Sequence, residues 1–376
     1  MQNIDVKVVN VTKRFGNFTA VNKVNLDIPK GAFFSILGPS GSGKTTLLRM
    51  ISGFEHPDSG DIFIGGKRVN DLPPNQRRTN LIFQNLALFT TMTVAKNIAF
   101  GLKRQHIGKE EIKKRVDHVL ELVDLKGFGE RNINMLSGGQ QQRVALSRCL
   151  VLEPTVLLLD EPLGALDLKL RESMKLVLKR LQKRVGTTFI YVTHDQSEAL
   201  TMSNLVAVLN NGRIEQTGPP LDVFYNPQTY FVARFIGDNN CWDGWVESID
   251  QDKCKVKVGD VSLLAIAGEK LSPRDKVSVF VRPEIICLEQ ESKGKGISGK
   301  VEEFVFDGSY FRILVKAEMG SMPLKIKVKI PQSKNIPKID VNSTVKISWP
   351  KGAGIAFHSS IEMDKTKEEE LEGVVI

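Results

Sequence analysis

Apolar residues fall into two kinds of run along the first two-thirds of the chain. Short unbroken runs such as AFFSIL (32–37) and TVLLLD (155–160) show no polar alternation and predict strands buried on both faces. Others, such as TTLLRMISG (45–53) and QQRVALSRCLVLEP (141–154), place apolar residues three and four apart, the period of a helix. Strands and helices alternating in this way predict an α/β layered domain with a largely parallel sheet over residues 1–237. From about Cys241 the runs become short and β-rich, as in KCKVKV, VSVFVR and FRILVK, with Gly, Pro, Asp and Ser between them. Residues 238–376 therefore read as a separate all-β domain. Asp307-Gly308 fits a hairpin turn, since glycine accepts the positive φ that a tight turn needs, and the charged tail from Met363 reads as loosely held.

Composition narrows the class. The 376 residues are 41% hydrophobic and 25% charged, an ordinary globular balance with ample core for two or three domains. No run reaches the ~18 consecutive apolar residues that would span a bilayer, and MQNIDVKVVN lacks the basic-then-apolar order of a signal peptide, so a cytosolic chain is expected. Cys149, Cys241, Cys254 and Cys287 stand far apart with no CxxC pair and read as reduced, mostly buried thiols. The net charge of +9 comes from scattered basic residues, the pattern of a solvated surface rather than of a nucleic-acid-binding arm; attraction to an anionic membrane is the alternative.

The strongest local signal is Gly38-Pro39-Ser40-Gly41-Ser42-Gly43-Lys44-Thr45, set between a predicted strand and a predicted helix. Glycines let backbone N–H groups close around phosphates, and the helix directs its positive dipole end at them. Lys44 would neutralise phosphate charge, Thr45 would offer a hydroxyl to Mg²⁺, and Thr46 would continue the phosphate contacts. At the end of the second buried strand, Asp160 is placed to hold Mg²⁺ and Glu161 to polarise an attacking water. Taken alone, that pair could equally be a plain strand end.

Leu136-Ser137-Gly138-Gly139-Gln140-Gln141-Gln142-Arg143 opens an apolar-periodic helix, where free N–H groups could grip another phosphate; a helix merely capped by Ser-Gly-Gly would look similar. With this unbroken LSGGQ the sequence resembles the ATP-binding-cassette ATPase family. The resemblance implies a P-loop NTPase (RecA-like) cassette with a helical subdomain over about residues 89–154. Gln84 matches the Q-loop glutamine that meets Mg²⁺, water and the transporter partner. Gly164 to Asp167 resembles the D-loop, with glycine in place of its usual serine. His194 matches the switch histidine at the γ-phosphate, and Phe15 the aromatic that stacks on adenine. Ser40, Gly41, Ser42, Gly43, Lys44, Thr45 and Thr46 would hold ATP on one face, and Ser137, Gly138, Gly139 and Gln140 would close over it from a second copy of the chain.

That arrangement implies a homodimer with two composite sites, peripheral to the cytoplasmic face of the inner membrane. Two transmembrane permease subunits would be its partners, and an extracytoplasmic solute-binding protein would act through them. Phe280-Val281-Arg282-Pro283-Glu284 resembles an element of the OB-like regulatory domains attached to importer ATPases. Aromatic and basic residues are not interleaved there, so nucleic acid is not an expected partner. The FVARFIG text at Phe231–Gly237, followed by DNN, is most similar to spermidine/putrescine import ATPases, which puts polyamine first as cargo and iron(III), inorganic anions or sugars behind it. A soluble cassette ATPase of DNA repair or translation is the different-class alternative. Trp242 and Trp245 read as core or junction anchors.

Overall fold

A computed structural model describes residues 3–290, 296–319, 322–332 and 339–359; the charged tail read as loosely held lies outside the described residues. The chain divides into two compact units, Met1–Asn226 and Pro227–Ile376.

In the first unit a six-stranded sheet runs in the order Arg213–Gly218, Leu205–Asn210, Phe33–Leu37, Thr188–Thr193, Val156–Asp160, Thr79–Ile82. All neighbours pair in parallel except the edge strand Arg213–Gly218, which is antiparallel. The unbroken apolar runs are buried on both faces because alternate residues enter different cores. Leu157, Leu159, Phe189 and Tyr191 pack into one, whereas Val156, Leu158, Ile190 and Val192 pack into the other.

The first of these cores is closed by three helices, Val94–Arg104, Lys109–Leu122 and Gly138–Leu150, through Ile98, Leu102, Val116, Val119, Val144 and their neighbours. The second is closed by helix Lys44–Ser52 and by an antiparallel sheet ordered Phe18–Pro29, Ile4–Phe15, Ser59–Ile64, Lys67–Arg68. Parallel strands end together at one edge of their sheet, where the loops after Phe33–Leu37, Val156–Asp160 and Thr188–Thr193 can converge; α/β folds bind ligands at this edge.

In the second unit five strands close into a barrel: Asn240–Asp250, Lys253–Val258, Val261–Ala267, Gly354–His358 and Lys276–Val281. The only parallel contact among them is between Val261–Ala267 and Gly354–His358. This is the five-stranded Greek-key arrangement of an OB-like barrel. A second, wholly antiparallel sheet is inserted before the last barrel strand, in the order Cys287–Gln290, Thr344–Ser348, Ile297–Phe306, Tyr310–Met319, Met322–Pro331. Its hairpin turns at Asp307-Gly308 as expected: Gly308 has φ 93°, and Asp307 Oδ1 accepts from the N–H groups of Ser309 and Tyr310.

Two readings of single residues need correction. Trp242 is 4% exposed and packs 5.4 Å from Trp349, but Trp245 is 56% exposed. Burial alternates along the first part of Asn240–Asp250, and the two tryptophans stand three positions apart, an odd number, so they fall on opposite faces. Of the four free thiols only Cys149 and Cys254 are buried, while Cys241 and Cys287 are exposed. Among the described residues no helix is long and apolar enough to cross a membrane.

Candidate active site

The loop from Gly38 to Gly43 links the central strand Phe33–Leu37 to helix Lys44–Ser52. Three of its features require glycine. A Cβ on Gly38 would lie 2.1 Å from the carbonyl oxygen of Leu209, and one on Gly43 2.2 Å from that of Ala20. Gly43 also has φ 101°, a left-handed conformation that side chains disfavour. Gly41, with φ 75°, faces open space.

Inside this loop Lys44 is 5% exposed, and its ammonium donates to the carbonyl oxygens of Gly38 (2.9 Å) and Pro39 (2.8 Å). Burial lowers its pKa from 10.5, while the charges of Glu161 and Asp160 oppose that shift. The Ser42 hydroxyl is buried without a hydrogen-bond partner. A buried cation, an orphaned hydroxyl and a glycine backbone at a helix N-terminus together fit an anionic phosphate chain.

Thr45 Oγ1 donates to Asp160 Oδ1 at 3.0 Å, joining the start of the helix to the end of strand Val156–Asp160. Burial raises the Asp160 pKa; the Thr45 hydrogen bond works against it. A threonine hydroxyl beside a partly buried carboxylate is an oxygen-donor pair suited to a hard divalent cation.

Glu161, the next residue, has φ 43° and its N–H donates to Val192 O (3.1 Å). That left-handed backbone costs a non-glycine residue on the order of 1–3 kcal/mol, a strain that clusters at functional sites. Its carboxylate Oε1 lies 3.0 Å from His194 Nδ1. The site therefore assembles Lys44, Thr45, Asp160, Glu161 and His194 from three adjacent parallel strands.

His194 is set in place by residues that the motifs do not include. Tyr191 Oη and Thr193 Oγ1 both donate to Glu198 Oε2 at 2.7 Å, and Thr193 Oγ1 accepts from Asp195 N (2.9 Å). Asp195 caps helix Gln196–Met202. Burial, then the Glu198 charge, drives the Tyr191 phenol well above its ordinary value, so it stays a donor. The D-x-x-E spacing of Asp195 and Glu198 was the available sequence signal for this cap.

Ser137 and Gln140 form a reciprocal capping box at helix Gly138–Leu150: Ser137 N donates to Gln140 Oε1 (3.0 Å) and Gln140 N to Ser137 Oγ (3.4 Å). A Cβ on Gly139 would lie 2.9 Å from Leu170 Cδ1, and one on Gly138 3.4 Å from Leu166 Cδ2. The signature thus packs on the D-loop and on helix Leu168–Val185, which Asp167 caps. Gln142, 1% exposed, donates to Pro162 O (2.9 Å) and ties the signature helix to the turn after Glu161.

Gln84 is exposed in the turn after strand Thr79–Ile82, and a Cβ on Gly164 would lie 3.7 Å from its Nε2. Phe15, at the tip of strand Ile4–Phe15, is 49% exposed with the Lys13 ammonium 5.2 Å from its ring centre. Thr46 follows Thr45 within helix Lys44–Ser52, and Ser40 opens the turn before Gly41.

Residues 21–164 match the ABC transporter family and residues 279–357 the TOBE domain. A protein of Rubrobacter xylanophilus named as a spermidine/putrescine import ATP-binding protein is 48% identical over 84% of this chain and 85% of its own length. One of the same name from Clostridium novyi is 44% identical over 91% and 98%. Among solved structures, a Clostridium perfringens protein described as part of an ABC transporter complex superposes with TM-score 0.56 at 31% identity, covering 59% of this chain and 91% of that one. The dimeric structure of a bacterial ABC transporter cassette does so with TM-score 0.50 at 36% identity over 57% and 98%. With relatives this similar over most of both chains, the P-loop and its carboxylates identify an ATPase, and the chain belongs to the ATP-binding protein family of ABC transporters.

Proposed function

We propose that this chain is the ATP-hydrolysing subunit of an importer for polyamines of the spermidine and putrescine kind. The carrying observation for the chemistry is the Glu161–His194 contact at 3.0 Å, beside the Thr45–Asp160 pair. The cargo rests on the names of relatives that match along nearly their whole length.

In this reading the backbone from Ser40 to Thr46 cradles the phosphates, and Lys44 exchanges its two carbonyl partners for phosphate oxygens. Ser42 Oγ gains the partner that it lacks. Phe15 stacks on the adenine. Thr45, Asp160 and Gln84 would hold Mg²⁺, which when bound neutralises phosphate charge. Glu161 accepts a proton from the attacking water, and His194, fixed by its Glu161 contact and the Asp195–Glu198 cap, orients that water at the γ-phosphate.

A single chain has one P-loop and one signature, so Ser137, Gly138, Gly139 and Gln140 of a second copy complete the site; the similar cassette solved as a dimer supports this homodimer. The importer reading adds two permease subunits that dock on the helical segment 89–154, a solute-binding protein acting through them, and a peripheral position at the cytoplasmic face of the membrane. Nucleic acid has no place in this scheme. The test is ATP turnover of the chain reconstituted with its permease and binding protein in vesicles. Spermidine or putrescine, presented on the binding protein, should raise turnover; stimulation by iron(III), an inorganic anion or a sugar alone would reassign the cargo.

A further inference from the structure

The turn that carries Gln84 is held open by an arginine from another element. Leu86 and Ala87 have φ 57° and 45°, two consecutive non-glycine residues in the left-handed region. Local hydrogen bonds, Leu86 N to Phe83 O (2.9 Å) and Ala87 N to Asn85 O (2.7 Å), shape the turn and leave the Leu86 and Ala87 carbonyls pointing out of it. Arg148 takes both: Nη2 donates to Leu86 O (2.8 Å) and Nη1 to Ala87 O (2.6 Å).

Arg148 stands in the last turn of helix Gly138–Leu150, the helix that the signature opens. Its guanidinium is half-buried and lies 5.7 Å from the Phe89 ring centre. Burial lowers its pKa, opposed by the neighbouring Cys149. A planar fork of donors matches two adjacent carbonyls as an ammonium cannot. On the far side of the turn, fully buried Asn97 accepts from Phe89 N (2.9 Å) and donates to Phe89 O (3.0 Å), anchoring the end of the same segment.

We propose that Arg148 is a positioning residue that makes the signature helix and the Gln84 turn one mechanical body, so that events at one composite site are felt at the other. This rests on the dimeric ATPase reading. There the signature of a chain touches its mate's nucleotide, whereas Gln84 serves the chain's own. A displacement of the signature helix then carries the Leu86 and Ala87 carbonyls, and Gln84 two residues upstream, through a contact that has no slack. The coupling element is a rigid helix with a strained turn locked to its end, a physical link rather than mere proximity.

Two measurements test this on the full chain. In the first, hydrogen exchange is followed without nucleotide. Arg148→Ala should speed exchange at residues 84–89 while the amides of helix Lys44–Ser52 remain as protected as before. Unchanged exchange at residues 84–89 would overturn the clamp, and loss of protection throughout the unit would show that Arg148 merely holds the fold.

In the second, steady-state ATP hydrolysis is compared for the wild type, Arg148→Ala and Arg148→Lys. Arg148→Ala should lower kcat by roughly 10- to 100-fold, the scale of a misplaced active-site group. KM should stay within about twofold, and the Hill slope should fall toward one. Arg148→Lys, able to reach one carbonyl at a time, should recover part of kcat. A wild-type Hill slope in a folded Arg148→Ala protein would overturn the coupling. Absence of ATP turnover in the wild type would instead count against the ATPase reading and leave the exchange result standing.

Discussion

Glu161 Oε1 and His194 Nδ1 lie 3.0 Å apart although 33 positions separate the two residues in sequence. Two adjacent parallel strands bring them together. Replacing the carboxylate by its amide keeps the size and removes the base. Glu161→Gln should therefore retain ATP binding while hydrolysis falls by roughly 10²- to 10⁴-fold. Nucleotide affinity and turnover measured on the same preparation check this, and wild-type turnover would remove Glu161 from the mechanism.

Lys44 is a buried cation whose hydrogen-bond partners among the described residues are two carbonyl oxygens, beside the carboxylates of Asp160 and Glu161. A charged hydrogen bond contributes about 1.5–3 kcal/mol. Lys44→Ala should weaken ATP binding by roughly 10- to 100-fold on that basis, read by titration with a fluorescent nucleotide. Undiminished affinity would contradict the phosphate cradle.

The two left-handed glycines of the loop are not equivalent. Gly41→Ala adds a methyl group to open space and bears only the backbone penalty, about 1 kcal/mol. Gly43→Ala drives its Cβ to 2.2 Å from the Ala20 carbonyl oxygen. It should lower the thermal midpoint of the first unit further and abolish nucleotide binding. Equal midpoints for the two variants would argue against the close approach at Gly43.

In the second unit His358 is held by Glu269 Oε1 (3.1 Å from Nδ1) and Asp275 Oδ2 (3.1 Å from Nε2). Burial works against its charge, but the two carboxylates outweigh it and raise the pKa above 6.5. A raised folded-state pKa means that the stabilisation is fully present below 6.5 and is lost as pH rises through the folded value. Urea midpoints for this unit should decline as pH rises above 6.5 and through the folded-state value, and His358→Gln should flatten that slope. An unchanged slope in the variant would assign the pH dependence elsewhere.

Trp242 and Trp245 provide a test of strand register. Trp242→Ala should cost about 3–5 kcal/mol because it empties part of the barrel core. Trp245→Ala on the opposite face should stay within about 0.5 kcal/mol. Denaturant unfolding of the two variants distinguishes them, and equal losses would contradict the alternation of the strand.

The chemistry that was legible in the sequence is local. The cradle from Gly38 to Thr45 and the Asp160-Glu161 pair occupy consecutive positions, and strand-then-loop order places them at one sheet edge. Residues that act across elements were not legible. Arg148 and Asn97 look like ordinary helix residues until the chain folds, because their partners are carbonyl groups that carry no side-chain signature. Trp245 was misplaced because hydrophobicity alone does not say which phase of a strand faces inward.

The final barrel strand, Gly354–His358, closes the ring by pairing with Val261–Ala267 on one side and Lys276–Val281 on the other. Everything between Val281 and Gly354 must leave the ribosome before that ring can shut. During synthesis the emerging chain therefore passes through an interval in which two strand borders lie bare and open to pairing with neighbouring nascent chains. A polypeptide terminated anywhere in that interval would retain the complete phosphate cradle but no closed barrel.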